Sequence, residues 1–185
     1  LYEAETYVAE RIGAMARSRI SAGKNTGRVI ENIEREQGIT YAELQREAVH
    51  LAAESEIMVL TGGPGTGKTT AVRGILAMFD QLGLDTALCA PTGRASKRMS
   101  ELCGREASTI HRLLEAGYDR ETDSITFSKN EGDPLKADAI ILDETSMVDI
   151  MLMASLLRAM RPGCRLVLVG DADQLPSVGP GHVFS

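Results

Sequence analysis

The chain has 185 residues, 43% of them apolar and 25% charged, with a formal charge of −6. That supplies one core of ordinary domain size. The acidic balance excludes a surface that wraps nucleic acid by bulk attraction and leaves room only for a narrow strip of positioned contacts, and aromatics at 4% with no Trp exclude a base-stacking platform.

In chain order, Ala4, Val8, Ile12 and Ala16 recur every four residues and predict a first helix over LYEAETYVAERIGAMARSRI. A polar break, SAGKNTG, precedes a second short helix, RVIENIEREQ, that ends near Gly38. Thr40 to Glu43 reads as a T-x-x-E capping box opening a helix through Gln45, Ala48, Val49 and Leu51. From Glu56 the pattern changes. Four apolar strands, EIMVLT, DTALCA, ADAIILD and RLVLVGD, alternate with helices KTTAVRGILAMFDQL, GRASKRMSELC, STIHRLLEA and MVDIMLMASLLRAM. The polar YDRETDSITFSKNEGDP reads as a surface hairpin. Strands apolar on both faces and separated by helices predict an α/β fold, a parallel sheet covered on both sides.

Residues 1–39 read as a helical segment and residues 40–185 as the domain proper. The sequence stops at PSVGPGHVFS, directly after a strand and its loop, so it is expected to be part of a longer protein. Cys89, Cys103 and Cys164 are odd in number and lack CxxC spacing, which predicts reduced thiols rather than zinc ligands. The longest apolar runs, IMVL and AIIL, are too short for a membrane span, and no cleavable leader is visible. A cytoplasmic protein is the expectation.

The chemistry begins at Gly62, Gly63, Pro64, Gly65, Thr66, Gly67, Lys68, Thr69 and Thr70, a G-x-x-x-x-G-K-T loop between a strand and a helix. Glycines let the backbone curl so that several N–H groups converge on phosphate oxygens, and the helix N-terminus adds partial positive charge. Lys68 would reach the β- and γ-phosphates of ATP, and the Thr69 hydroxyl would ligate Mg²⁺. Asp143 and Glu144 follow an apolar strand, at the edge of the sheet where ligands bind. Asp143 would hold Mg²⁺ and Glu144 would polarise the attacking water; solvated helix-capping acids are the other reading. Gln174, on the loop after the last strand, suits either a γ-phosphate sensor or a turn-stabilising amide.

Taken together, TGGPGTGKTT, APTGRASKRMSE, STIHRLL, ILDETSMVD and LVGDADQLPSVGPG resemble the first RecA-like motor domain of superfamily 1 DNA helicases, and most of all the RecD-like branch, which moves 5′ to 3′ on single-stranded DNA. The resemblance runs from about Thr40 onward. It implies that Gln45 reads adenine, that Lys68 and Thr69 bind phosphate and Mg²⁺, that Asp143 and Glu144 are the metal and water acids, and that Gln174 senses the γ-phosphate. It also implies DNA-backbone contacts from Thr92, Gly93 and Arg94, and from Thr109 and His111, although a lone histidine is more often packed than a ligand. A second RecA-like domain would supply transition-state arginines, and single-stranded DNA is the implied partner. Within the family three contexts stay open: a stand-alone RecD-like helicase, a subunit of a recombination nuclease, or the helicase part of a conjugative relaxase. Two rival readings stand beside it. One is another P-loop ATPase or small-molecule kinase, and the other a nucleotide-dependent switch module.

Overall fold

A computed structural model describes residues 1–23, 25–171 and 173. Five short segments pair into one parallel sheet: β1 (Ile57–Thr61), β2 (Thr86–Ala90), β3 (Ala107–Thr109), β6 (Ala139–Leu142) and β7 (Arg165–Gly170), in spatial order β1-β7-β6-β2-β3. A separate antiparallel hairpin joins β4 (Ala116–Asp119) to β5 (Ser124–Phe127), as the polar, turn-rich stretch predicts. The helices are α1 (Tyr2–Arg17), α2 (Thr26–Gln37), α3 (Glu43–Glu54), α4 (Lys68–Gln81), α5 (Gly93–Cys103), α6 (Ile110–Leu113) and α7 (Ile150–Ala159).

The apolar strands feed two cores. Ile140, Leu142, Leu166 and Leu168 pack on one side with residues of α1 and α7, while Ala139, Ile141, Val167 and Val169 pack on the other with residues of α2, α3 and α4. Successive side chains of a strand alternate faces, so a continuous apolar run is what a sheet covered on both sides demands. Residues of α1 and α2 belong to these cores: Ala4, Val8 and Met15 to the first, Ile30 and Ile33 to the second.

Three expectations need correcting. In α1 the fourth inward position is Met15, which is buried, while Ala16 faces solvent; a 3.6-residue turn drifts off a strict spacing of four. The helix α3 begins at Glu43 with Ala42 at its N-cap, so Thr40 and Glu43 do not form the capping pair. Gln45 does that work, its Oε1 accepting the Ala42 N–H at 2.9 Å. STIHRLLEA is not one helix. Ala107–Thr109 pairs with Leu88–Ala90 as a fifth strand, and α6 lasts only four residues before Glu115, at φ 53°, turns the chain into the hairpin. The open edge of β2 offered ladder hydrogen bonds, and pairing overrode local helix propensity.

Two contacts fix how α3 and α4 sit on the sheet. Arg165, buried at the start of β7, donates through Nη1 to the carbonyls of Ala52 and Ala53 at 3.0 and 2.7 Å, capping the last turn of α3. Its guanidinium also lies 5.8 Å from the Phe79 ring centroid on α4. Gly74 lets the two helices approach closely, since a Cβ there would stand 2.8 Å from Val49 Cγ2 and 2.9 Å from the Tyr41 hydroxyl.

Candidate nucleotide site

Strand order builds the site. Because β7 lies between β1 and β6, the loops leaving the carboxyl ends of all three converge on one cleft of about 540 Å³. Pro64, Gly65, Thr66, Gly67, Lys68 and Thr69 line it from the β1–α4 loop, and Asp143 and Glu144 line it from the end of β6. The two halves of the sequence motif, more than seventy residues apart, therefore face one space. The volume falls within the usual range of cofactor sites.

The loop holds its curl through its own groups. The Thr66 hydroxyl donates to the Gly63 carbonyl at 2.8 Å, and the half-buried Lys68 ammonium donates to the Gly62 carbonyl. Gly67 is the N-cap of α4 with φ 81°, and a Cβ there would meet Gln45 Nε2 at 2.4 Å. Both the backbone conformation and the space demand glycine. Gln45 approaches from outside the cleft, its Nε2 donating to the Gly67 carbonyl at 3.3 Å. Gly62, Gly63 and Thr70 shape or follow the loop without lining the cleft.

The acids are held differently. Asp143 Oδ1 accepts the Glu144 N–H at 2.9 Å, and Glu144 itself takes the left-handed conformation, φ 53° and ψ 40°, at the head of a 3-10 turn over Thr145–Met147. Such backbone is costly for a residue with a Cβ and gathers at functional sites. Burial pushes the Asp143 carboxyl above its ordinary pKa, opposed by the Glu144 N–H and by the charges of Lys68 and Arg98. Burial and then the Asp143 charge raise Glu144 as well, again opposed by Arg98 and Lys68.

Sequence reasoning missed two charged residues of the cleft, Arg98 on α5 and Asp171 after β7. Asp171 is buried and its Oδ1 accepts the Asp173 N–H at 2.9 Å. An acid directly after an apolar strand is the same signal that marks Asp143, so Asp171 was there to be found. Arg98 sits mid-helix in GRASKRMSELC, and nothing in that string tells which face of α5 turns toward the cleft. Met99, Leu102 and Cys103 of the same helix join it there.

The residues expected to touch DNA lie at the same carboxyl edge, further along the sheet at β2 and β3. Thr92 caps α5, its Oγ1 accepting the Ala95 N–H at 3.2 Å, and Thr109 caps α6, accepting the Arg112 N–H at 3.1 Å. Gly93 and Arg94 open α5 and are exposed. His111 packs against Phe127 of the hairpin, with ring centroids 5.8 Å apart. Gln174 lies outside the described residues.

Known proteins resemble this chain in sequence and fold. A family model described as an AAA domain matches residues 45–180. The ATP-dependent RecD2 DNA helicase of Deinococcus radiodurans is 46% identical over 140 residues, covering 76% of this chain and 19% of that protein. The RecBCD enzyme subunit RecD of Mycolicibacterium smegmatis is 41% identical over 182 residues, covering 86% of this chain and 32% of that subunit. The chain thus spans about a fifth and about a third of the length of these curated relatives. Among solved structures, that of the Pif1 helicase from Bacteroides in complex with ADP-AlF3 and ssDNA superposes with a TM-score of 0.53 at 25% identity, over 77% of this chain and 34% of that one. The parallel sheet with helices on both faces is thereby the RecA-like architecture expected from the motifs. Since the family match spans every segment that lines the cleft, the chain belongs to this AAA domain family, as a RecD-like member.

Proposed function

We propose that these residues are the first motor domain of an ATP-driven DNA helicase that moves 5′ to 3′ on single-stranded DNA in recombination and repair. One observation carries the reading: Lys68, Thr69, Asp143 and Glu144 line a single cleft at the carboxyl edge of the sheet. The donor set fits Mg·ATP, because the Thr69 hydroxyl and the Asp143 carboxylate are hard oxygen donors of the kind Mg²⁺ takes. When bound, Mg²⁺ spreads the charge of the terminal phosphates.

The chain's own groups do the rest. Lys68 and the amides of residues 65–69 bind phosphate oxygens at the N-terminus of α4. Glu144 takes a proton from the attacking water, and its raised pKa brings the carboxylate nearer to working pH. Gln45 reads the adenine edge, where an amide can pair with a donor and an acceptor together, and Gln174 senses the γ-phosphate. The hydroxyls of Thr92 and Thr109 already accept a backbone N–H each, which leaves their protons free to donate to DNA phosphates. Arg94 and the Gly93 amide stand beside them, and His111 borders the same strip.

A second RecA-like domain of the longer protein supplies arginines to the transition state, a contribution of about 10³–10⁵ in rate. Residues 1–39 act as a helical cover of the motor domain over residues 40–185. We place the protein in the cytoplasm and propose a recombination nuclease as a larger assembly; that the Mycolicibacterium relative is named as a subunit of the RecBCD enzyme supports membership of a multi-subunit enzyme. The test is Lys68→Ala, which lowers affinity for a fluorescent ATP analogue by about a hundredfold through loss of charge-assisted hydrogen bonds. Unchanged affinity would sink the site assignment.

A further inference from the structure

The helix α2 carries none of the sequence motifs, yet one of its side chains ties down the first turn of α3, beside the phosphate loop. Glu34 Oε1 accepts the Tyr41 N–H at 2.9 Å, and Arg46 Nη1 donates to both oxygens of the same carboxylate at 3.2 and 3.0 Å. The Glu34 side chain is only 12% exposed, so water competes little for its oxygens, while Arg46 reaches in from a more open position. Tyr41 is held at its other end too, its hydroxyl donating to Gln37 Oε1 at 2.6 Å while the ring packs over Gly74 of α4.

These anchors bracket Gln45. Tyr41 precedes the N-cap of α3 and Arg46 follows Gln45 by one residue, so both ends of the first turn of α3 are tied to a single carboxylate on α2. Within that turn Gln45 has its amide plane set by Ala42 on one side and by the Gly67 carbonyl of the phosphate loop on the other. An amide reads an adenine edge only when both its donor and its acceptor are aimed. Aim is what the bracket supplies. An ion pair serving only to dock α2 would need one partner on α3. This one instead grips the backbone on one side of Gln45 and the side chain on the other.

We propose that Glu34 is a positioning residue for adenine recognition, which by holding Tyr41 and Arg46 sets the stance of Gln45 beside the phosphate loop. The inference rests on the reading of Gln45 and of the cleft given above. It moves part of the control of nucleotide choice onto a helix that lies outside every motif.

The test compares two probes on the full chain, Mg·ATP and Mg·tripolyphosphate, by titration calorimetry. The ratio of their affinities isolates the contribution of the nucleoside. Glu34→Ala lowers that ratio about tenfold, the size expected for loss of a charge-assisted anchor, while tripolyphosphate affinity stays within about twofold because the phosphate loop is intact. In a Gln45→Ala background the same substitution leaves the ratio unchanged, since its effect passes through Gln45. Glu34→Gln, which keeps an acceptor for the Tyr41 amide, gives a smaller fall, and it carries the test if Glu34→Ala lacks a cooperative thermal transition. A folded Glu34 variant with an unaltered ratio overturns the proposal, as does an equal fall in the Gln45→Ala background. A wild-type chain that fails to bind tripolyphosphate would instead strike the reading of the cleft, and a Gln45→Ala chain with an unaltered ratio would strike that of Gln45.

Discussion

The two ends of the central strands use the same residue types for opposite purposes. At the amino end, Arg161 Nη2 donates to Asp138 Oδ1 at 2.9 Å, Asp138 Oδ2 accepts the Asp85 N–H at 2.9 Å, and Arg165 caps α3. The charges of Arg161, Asp138 and Arg165 are each spent on a fixed partner within the fold. At the carboxyl end, Asp143 and Asp171 each accept one nearby backbone N–H, and Lys68 rests on a backbone carbonyl. Burial raises the pKa values of Asp143 and Glu144 against the opposing charges of Lys68 and Arg98. Such groups do little for stability and remain available to a ligand, which is why the cleft rather than the amino edge is the site.

If this contrast is right, a carboxyl-end substitution strikes chemistry and spares the fold. Glu144→Gln keeps the shape and removes the base, so hydrolysis falls about 10²–10⁴-fold while nucleotide affinity changes little. The pair also has a pH signature. Because Asp143 and Glu144 are raised in the folded chain, protons bind it more tightly than the unfolded chain. Their contribution to stability is present below the ordinary carboxylate range, about pH 4, and is lost as pH rises through the elevated folded values. Mg²⁺-dependent nucleotide binding needs ionised acids and strengthens over the same interval. Thermal melts and titrations across that interval should run in opposite directions, and Asp143→Asn should flatten both. Parallel trends would break the contrast.

The amino end should behave in reverse. Arg165→Met keeps most of the volume and leaves the Ala52 and Ala53 carbonyls buried without their donor, costing about 2–4 kcal/mol of stability. Denaturant melts would read that loss, and affinity for nucleotide should stay within about twofold, the substitution lying at the opposite end of β7. A large drop in affinity would mean that the two ends are coupled through the strand.

What the sequence made legible follows the same division. The phosphate loop and the acid pair are local strings whose chemistry is carried by adjacent residues, so they could be read before any fold was known. Strand alternation gave both cores, because Ile140 and Ile141 must point to opposite faces whatever surrounds them. Arg98 was illegible because its role depends on how α5 is rotated on the sheet, a tertiary fact. The misread stretch at Ala107–Thr109 failed for a related reason: three residues hold no period, and only the waiting edge of β2 made them a strand. Gln45 shows a mixed case, its capping role visible only once the start of α3 was fixed at Glu43.

The smallest effect falls where the two purposes meet in one side chain. Thr92 is a structural cap for α5 and, in the proposed function, a DNA contact. Thr92→Ala loses both, costing about 1 kcal/mol of stability through the cap and lowering single-stranded DNA affinity severalfold, roughly one hydrogen bond's worth. Thr92→Asp separates them. Aspartate caps as well as threonine and suits the positive end of a helix, so stability should be kept or rise by a few tenths of a kcal/mol. Its negative charge, however, meets a phosphate where the hydroxyl would have donated, and DNA affinity should fall further than in Thr92→Ala. An aspartate variant that binds DNA like the parent would leave Thr92 a cap alone and move the DNA strip away from the end of β2.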